Sequence, residues 1–224
     1  MSPNCIGIIL GGNRRFARAH NLPLLEGHRR GFEKVKEVAE WTKDEGISHL
    51  MLFVFSTENW NRSKEEVSYL MDLFRHVLAD EIEHMQEKGV RVLCIGARER
   101  FSPELQALMR QAEERTAGNK ELTLALCLSY GGRAEIVGAV NRAIAAGKKE
   151  VDEETFARYL WTVGIPDPDL IIRTSGEMRL SGFLPWQGVY SELFFTKTLW
   201  PDFTEAEFKS ILEEFSRRDR RLGR

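Results

Sequence analysis

What most constrains this chain is a recurring pattern: short apolar runs, each followed by a longer stretch with helical spacing. The runs cover residues 5–10, 49–55, 90–95, 122–129, 170–174 and 192–195. Several are apolar on both faces, as in strands that helices cover on two sides. Between them lie helix signals. Ser63 with Glu66 reads as a capping box, and no Gly or Pro follows until Gly89, so one helix of about 26 residues is expected there. Its apolar residues, among them Val67, Leu70, Leu73, Val77 and Ile82, recur every three or four positions. Ser102-Pro103, Asp152 and Thr204 open further helices. This alternation predicts an α/β fold: a single domain over 1–224, with a central, mostly parallel sheet of about six strands flanked by helices.

Composition narrows the functional classes. A chain of 224 residues that is 42% hydrophobic fills one good-sized core, which excludes a disordered tail or a coiled-coil rod. The longest purely apolar stretch, residues 50–55, is far short of the roughly 20 residues of a membrane span. A net charge of −2 gives no basic field for nucleic acid. Three scattered cysteines, Cys5, Cys94 and Cys127, have no metal-binding spacing and read as buried thiols of a reducing compartment. The N-terminal M-S-P-N has neither the basic region nor the apolar stretch of a signal peptide, so a cytoplasmic protein is expected.

Chemistry gathers where the strands end. The first run passes into Gly11-Gly12-Asn13-Arg14-Arg15-Phe16, glycines and arginines ahead of a helix. Such a segment suits an anion, because glycines admit it and guanidinium forks match phosphate oxygens; it also suits a tight turn before a solvated basic helix. The second run ends in Ser56-Thr57-Glu58-Asn59-Trp60-Asn61-Arg62, and the fifth in Arg173-Thr174-Ser175-Gly176-Glu177-Met178-Arg179-Leu180-Ser181. In a parallel sheet these ends share one edge, where α/β proteins bind ligands. Their convergence points to a phosphate or diphosphate site, with a surface salt-bridge network as the other reading. His28, near a helix start, serves packing or the site. No zinc-protease or hydrolase motif is present.

Five segments together resemble the signature blocks of the cis-prenyltransferases, the undecaprenyl diphosphate synthase type of isoprenyl transferase. They are G-N-R-R-F-A (12–17), G-H-R-R-G (27–31), F-S-T-E-N-W-N-R (55–62), Y-G-G-R (130–133) and the block over 169–203 that holds I-R-T-S-G-E-M-R-L-S, P-W-Q, Y-S-E and L-W-P-D-F. The resemblance implies condensation of isopentenyl diphosphate with an allylic diphosphate such as farnesyl diphosphate, with Mg²⁺, to give a cis-polyprenyl diphosphate. It implies that Gly12, Asn13, Arg14, Arg15 and Phe16 meet the allylic diphosphate, with His28 beside them as a catalytic residue. Arg173, Arg179 and Ser181 would hold isopentenyl diphosphate. Asn59 would stand where the proton leaves, with Ser56, Thr57, Glu58, Trp60 and Arg62 around it, and Glu192 would help hold the metal. A homodimer is implied, with Arg221 and Gly223 reaching a partner's site, as are peripheral membrane contact for product release and a role in supplying a cell-wall lipid carrier. An apolar tunnel for the growing chain is expected; the helix after Ser63 could line it, although core packing explains its stripe equally.

One departure stands at the centre of the resemblance. The family's first block opens with a catalytic, metal-binding aspartate, and this chain has Gly11 there, with Phe16 in place of tryptophan. Leu24, Gly182 and Pro185 are lesser departures. Glycine supplies no ligand, so weak or absent activity is expected, and turnover should rise on Gly11→Asp. Two readings follow: an isoprenyl transferase scaffold, or a diphosphate-binding accessory subunit that has lost catalysis. The retained Asn59, Arg173, Arg179, Ser181 and Glu192 favour the first.

Overall fold

A computed structural model describes residues 2–219; Arg221 and Gly223, expected to reach a partner's site, lie outside the described residues. Six strands form one sheet: β1 (Cys5–Ile9), β2 (His49–Ser56), β3 (Val90–Ile95), β4 (Leu122–Tyr130), β5 (Leu170–Arg173) and β6 (Glu192–Phe195). Their order is β3-β4-β2-β1-β5-β6 and every neighbouring pair is parallel. The expected α/β architecture is thus observed, and the sheet is wholly parallel.

Eight helices surround the sheet among the described residues: α1 (Asn13–Ala19), α2 (Leu24–Asp44), α3 (Lys64–Asp80), α4 (Ile82–Glu87), α5 (Pro103–Thr116), α6 (Gly132–Ala145), α7 (Glu153–Ala157) and α8 (Glu205–Arg217). The caps read from the sequence are in place. Ser63, Ser102, Asp152 and Thr204 each accept a hydrogen bond from the backbone N–H three residues on. The single long helix expected after Ser63 is instead two. The α-helical run breaks at Glu81, which is joined from α2 by the Lys36 ammonium at 3.2 Å.

Strand alternation divides the core. Ile6, Ile8, Leu50 and Leu52 face a layer built from α2, α3, α4, α5 and α8. Cys5, Ile9, Met51 and Phe53 face the other side, where Phe183 stacks on Phe53 with ring centroids 5.0 Å apart. All three cysteines are buried, and burial raises their thiols well above the ordinary range, Cys94 to about 12, so they are inert core groups. No helix among the described residues is long and apolar enough to cross a membrane.

Candidate active site

Register brings the strand ends together. Ile9 at the end of β1 pairs with Arg173 at the end of β5 and with Phe53 on β2, while Ser56 pairs with Tyr130 at the end of β4. Above this edge lies a cleft of about 660 Å³. Of the residues read from the sequence, Asn13, His28, Ser56, Thr57, Glu58, Asn59, Arg62, Arg173 and Ser181 line it.

One wall is built on α1, α2 and α3. Gly12 precedes α1 at φ 110°, a left-handed conformation that other residues rarely adopt, and turns the chain from β1 into the helix. Across from it, Glu66 of α3 collects three groups: His28 Nε2 at 3.0 Å, Arg62 at 3.0 Å and Arg14 at 3.9 Å. Burial, more than any other influence, depresses the pKa of His28, and the Arg62 and Arg14 charges add to this against the opposing pull of Glu66. The imidazole is therefore neutral at pH 7.

The other wall is the loop after β5. Arg173, only 7% exposed, donates to Ser181 Oγ at 2.8 Å and to the Arg179 carbonyl. Its Nε is buried with no hydrogen-bond partner, as is Asn13 Oδ1 across the cleft. An unpaired buried guanidinium N–H is costly, so Arg173 is a donor with capacity left for an acceptor. Arg15 and Arg179 meet on Glu177, the first at 3.6 Å, and these cations depress the Glu177 pKa, the hydrogen-bonded Arg179 most of all. The guanidinium of Arg15 thus lies on the same rim as those of Arg173 and Arg179, which supports the convergence read from the sequence.

Between the walls, residues 57–61 form a single 3₁₀ turn. Asn59 Oδ1 accepts the Ser56 N–H at 3.1 Å, which leaves the Asn59 amide N–H groups for the cleft. Burial alone would raise the Glu58 pKa, but hydrogen bonds from the Ser56 hydroxyl, its own backbone and Thr57 hold it below the ordinary carboxylate value. Glu58 is therefore ionised at neutral pH.

Several expected residues stand elsewhere. Trp60 turns into the core, donating to Ser129 Oγ at 2.9 Å and packing on Phe55 and Phe101. Phe16 packs on His20 outside the cleft. Glu192 starts β6 and pairs with Leu170, so parallel register puts it at the opposite edge of the sheet, where its carboxylate takes the Arg218 guanidinium at 2.6 Å. Two functional residues escape the sequence reading. Glu66, which holds His28 and Arg62 of the lining, reads only as a helix cap, although its i,i+4 spacing from Arg62 is a signal. Arg133, in the lining after β4, follows a strand end in the Y-G-G-R segment.

The carboxylates present do not fit a protein-held Mg²⁺. Among the described residues no three His, Cys, Asp or Glu side chains group as ligands. Glu66 and Glu177 are taken up by arginines, and Glu58 is held by the Ser56 and Thr57 hydroxyls. Gly11 offers no donor, and its surroundings leave no space for one: a Cβ there would fall against Ser175 Oγ and within 2.7 Å of the Thr174 carbonyl oxygen.

Comparisons with known proteins agree with this arrangement. The prenyltransferase family model, described as undecaprenyl diphosphate synthase, matches residues 9–223. An isoprenyl transferase of Chromobacterium violaceum is 48% identical over 222 residues, covering 99% of this chain and 88% of that one. One of Thermotoga maritima is 46% identical over 225 residues, covering 99% and 97%. The crystal structure of lavandulyl diphosphate synthase from Lavandula x intermedia, in complex with dimethylallyl diphosphate, superimposes with a TM-score of 0.94 at 33% identity and covers 100% of this chain and 99% of that one.

Proposed function

Since the chain belongs to the undecaprenyl diphosphate synthase family of cis-prenyltransferases, we propose that it joins isopentenyl diphosphate to an allylic diphosphate, forming one carbon–carbon bond with release of diphosphate and a proton. The observation that carries this reading is the buried Arg173 guanidinium, which lines one cleft together with Asn13, His28 and Asn59. Arg173, Arg179 and Ser181 bind the isopentenyl diphosphate. Asn13, Arg14 and Arg15 bind the allylic diphosphate, and neutral His28 donates a hydrogen bond or accepts one there without adding charge.

The chemistry follows from these groups. Ionisation of the allylic carbon leaves negative charge on diphosphate, and guanidinium donors held at the rim of the cleft by Glu66 and Glu177 stabilise that charge. The Asn59 amide is no base at ordinary pH, so its role is to orient the isopentenyl group as its proton leaves. The hydrocarbon enters the apolar slot beside the cleft, lined by Leu70, Leu73, Phe74, Val77 and Leu128. A homodimer belongs to the same reading, supported by the exposed stripe Val137, Val140 and Ile144 on α6.

A second reading, diphosphate binding without turnover, is favoured by the filled space beside Gly11. Radiolabelled isopentenyl diphosphate incubated with dimethylallyl, geranyl or farnesyl diphosphate separates the two. Labelled prenyl products support the transferase. Tight binding of both diphosphates with no product after long incubation supports the second reading, and absence of binding refutes both.

A further inference from the structure

Away from the cleft, a second cavity of about 400 Å³ lies along the outer strand β3. It shares no lining residue with the cleft or the slot. Its floor is the sheet. Register sets Arg91, Thr123 and His49 side by side on three neighbouring strands, β3, β4 and β2. At about 4.8 Å between strands, this row spans about 10 Å. All three side chains line the cavity, and Leu93 continues the floor along β3. The opposite wall is the segment between α7 and β5, which brings Trp161, Val163 and Ile165.

The two ends of this groove differ. At one end Arg98 is fully engaged. It donates to Glu113 Oε2 at 2.8 Å and to the Cys94 carbonyl at 2.5 Å, while Glu113 Oε1 accepts the Cys94 N–H at 2.8 Å. These bonds close the open edge of β3. At the other end the polar groups are idle. Among the described residues Arg91 makes no hydrogen bond or ion pair, and the Thr123 hydroxyl makes no hydrogen bond. His49 Nδ1 meets Ser48 Oγ at 2.7 Å, which leaves Nε2 free to carry the ring proton. Burial first, and then the Arg91 charge, depress the His49 pKa below its ordinary value. The ring is therefore neutral at pH 7, and Arg91 carries the net charge of the row. Between the ends the surface is apolar, with Val163 left 60% exposed.

We propose that this groove binds a small organic monocarboxylate, its carboxylate on Arg91, Thr123 and His49 and its flat apolar body against Leu93, Trp161 and Val163. A guanidinium takes a carboxylate through two parallel N–H bonds. One net positive charge matches one negative charge, whereas a phosphate dianion would keep a charge uncompensated. The body gains by covering apolar surface that now faces water. A cavity of about 400 Å³ holds about 13 waters at roughly 30 Å³ each, the bulk of a two-ring acid. Its make-up, apolar walls with a few convergent polar groups, is that of a small-molecule site. The proposal does not depend on the transferase reading of the cleft.

Calorimetric titration of the full chain with 2-naphthoate at neutral pH tests it. The dissociation constant should be on the order of 0.1–1 mM. Acetate, which lacks the apolar body, and 2-naphthylmethanol, which lacks the charge, should each bind at least tenfold more weakly. Arg91→Gln should weaken 2-naphthoate at least tenfold and remove its advantage over 2-naphthylmethanol. Val163→Glu should weaken it likewise, by placing a like charge where the ring lies. Both side chains are exposed, so both variants should keep the wild-type urea midpoint. Saturating inorganic pyrophosphate should leave the affinity unchanged. No binding at several millimolar 2-naphthoate overturns the proposal, as does an affinity that Arg91→Gln leaves unaltered. Displacement by pyrophosphate also overturns it, because the acid would then occupy the cleft.

Discussion

The polar cleft and the apolar slot share five lining residues yet are opposite in construction. The cleft is a place of incomplete bonds. Arg173 Nε and Asn13 Oδ1 are buried without partners, and cations crowd onto Glu66 and Glu177. The slot is lined by apolar side chains, which ask for nothing. Stability therefore resides in the slot and its helices, whereas affinity for an anion resides in the cleft, where Arg173 is the buried cation. Variants on the two sides should separate folding from binding.

The largest effect belongs to the slot. Phe74, 7% exposed and packed against Phe55, should cost about 3–5 kcal/mol of unfolding free energy when replaced by alanine. Urea denaturation reads this, and inorganic pyrophosphate should still bind the folded fraction with affinity unchanged. Arg173→Ala should do the reverse, with a small change in urea midpoint and KM for isopentenyl diphosphate raised roughly 10²-fold, equivalent to about 2.7 kcal/mol. Arg173→Lys should recover only part of this, because an ammonium lacks the guanidinium fork.

Gly11→Asp lies between the two regions. The resemblance alone predicts a gain in turnover, but the new side chain must displace Ser175 and the Thr174 carbonyl. A loss of about 1–3 kcal/mol is expected in urea denaturation, and any gain in turnover should require Ser175→Gly as well. A single variant of undiminished stability would show that the loop yields freely.

The smallest effect is a pH slope from His28. Its folded pKa lies below the ordinary imidazole value of about 6.5, burial being the main cause. Unfolding therefore takes up a proton as pH falls. The stability contribution is complete above about pH 6.5 and declines as pH drops from there through the folded pKa. Urea midpoints measured between about pH 7 and pH 5 should fall less steeply in His28→Gln than in the wild type.

Much of this architecture is legible in the residues themselves. Apolar runs place the strands to within one or two positions, and four capping residues mark helix starts, because both signals are local. The gathering of Arg15, Arg173 and Arg179 follows from parallel strands alone. What escapes depends on register and orientation. Glu192 reads as a cleft carboxylate until its pairing with Leu170 puts it at the other edge. Trp60 reads as a substrate contact until its ring finds Phe55 and Phe101. The break at Glu81 has no glycine or proline to announce it, and the loop after β5 holds Ser175, Ser181 and Leu184 at positive φ, which composition does not foretell.

The central claim is that one strand edge holds two diphosphates side by side. Calorimetric titration with isopentenyl diphosphate and an unreactive allylic thiolodiphosphate counts them directly. The account predicts two sites per chain, with Arg173→Ala weakening the isopentenyl site and sparing the allylic one. A single site for which the two ligands compete, or two sites that Arg173→Ala leaves unchanged, would contradict it.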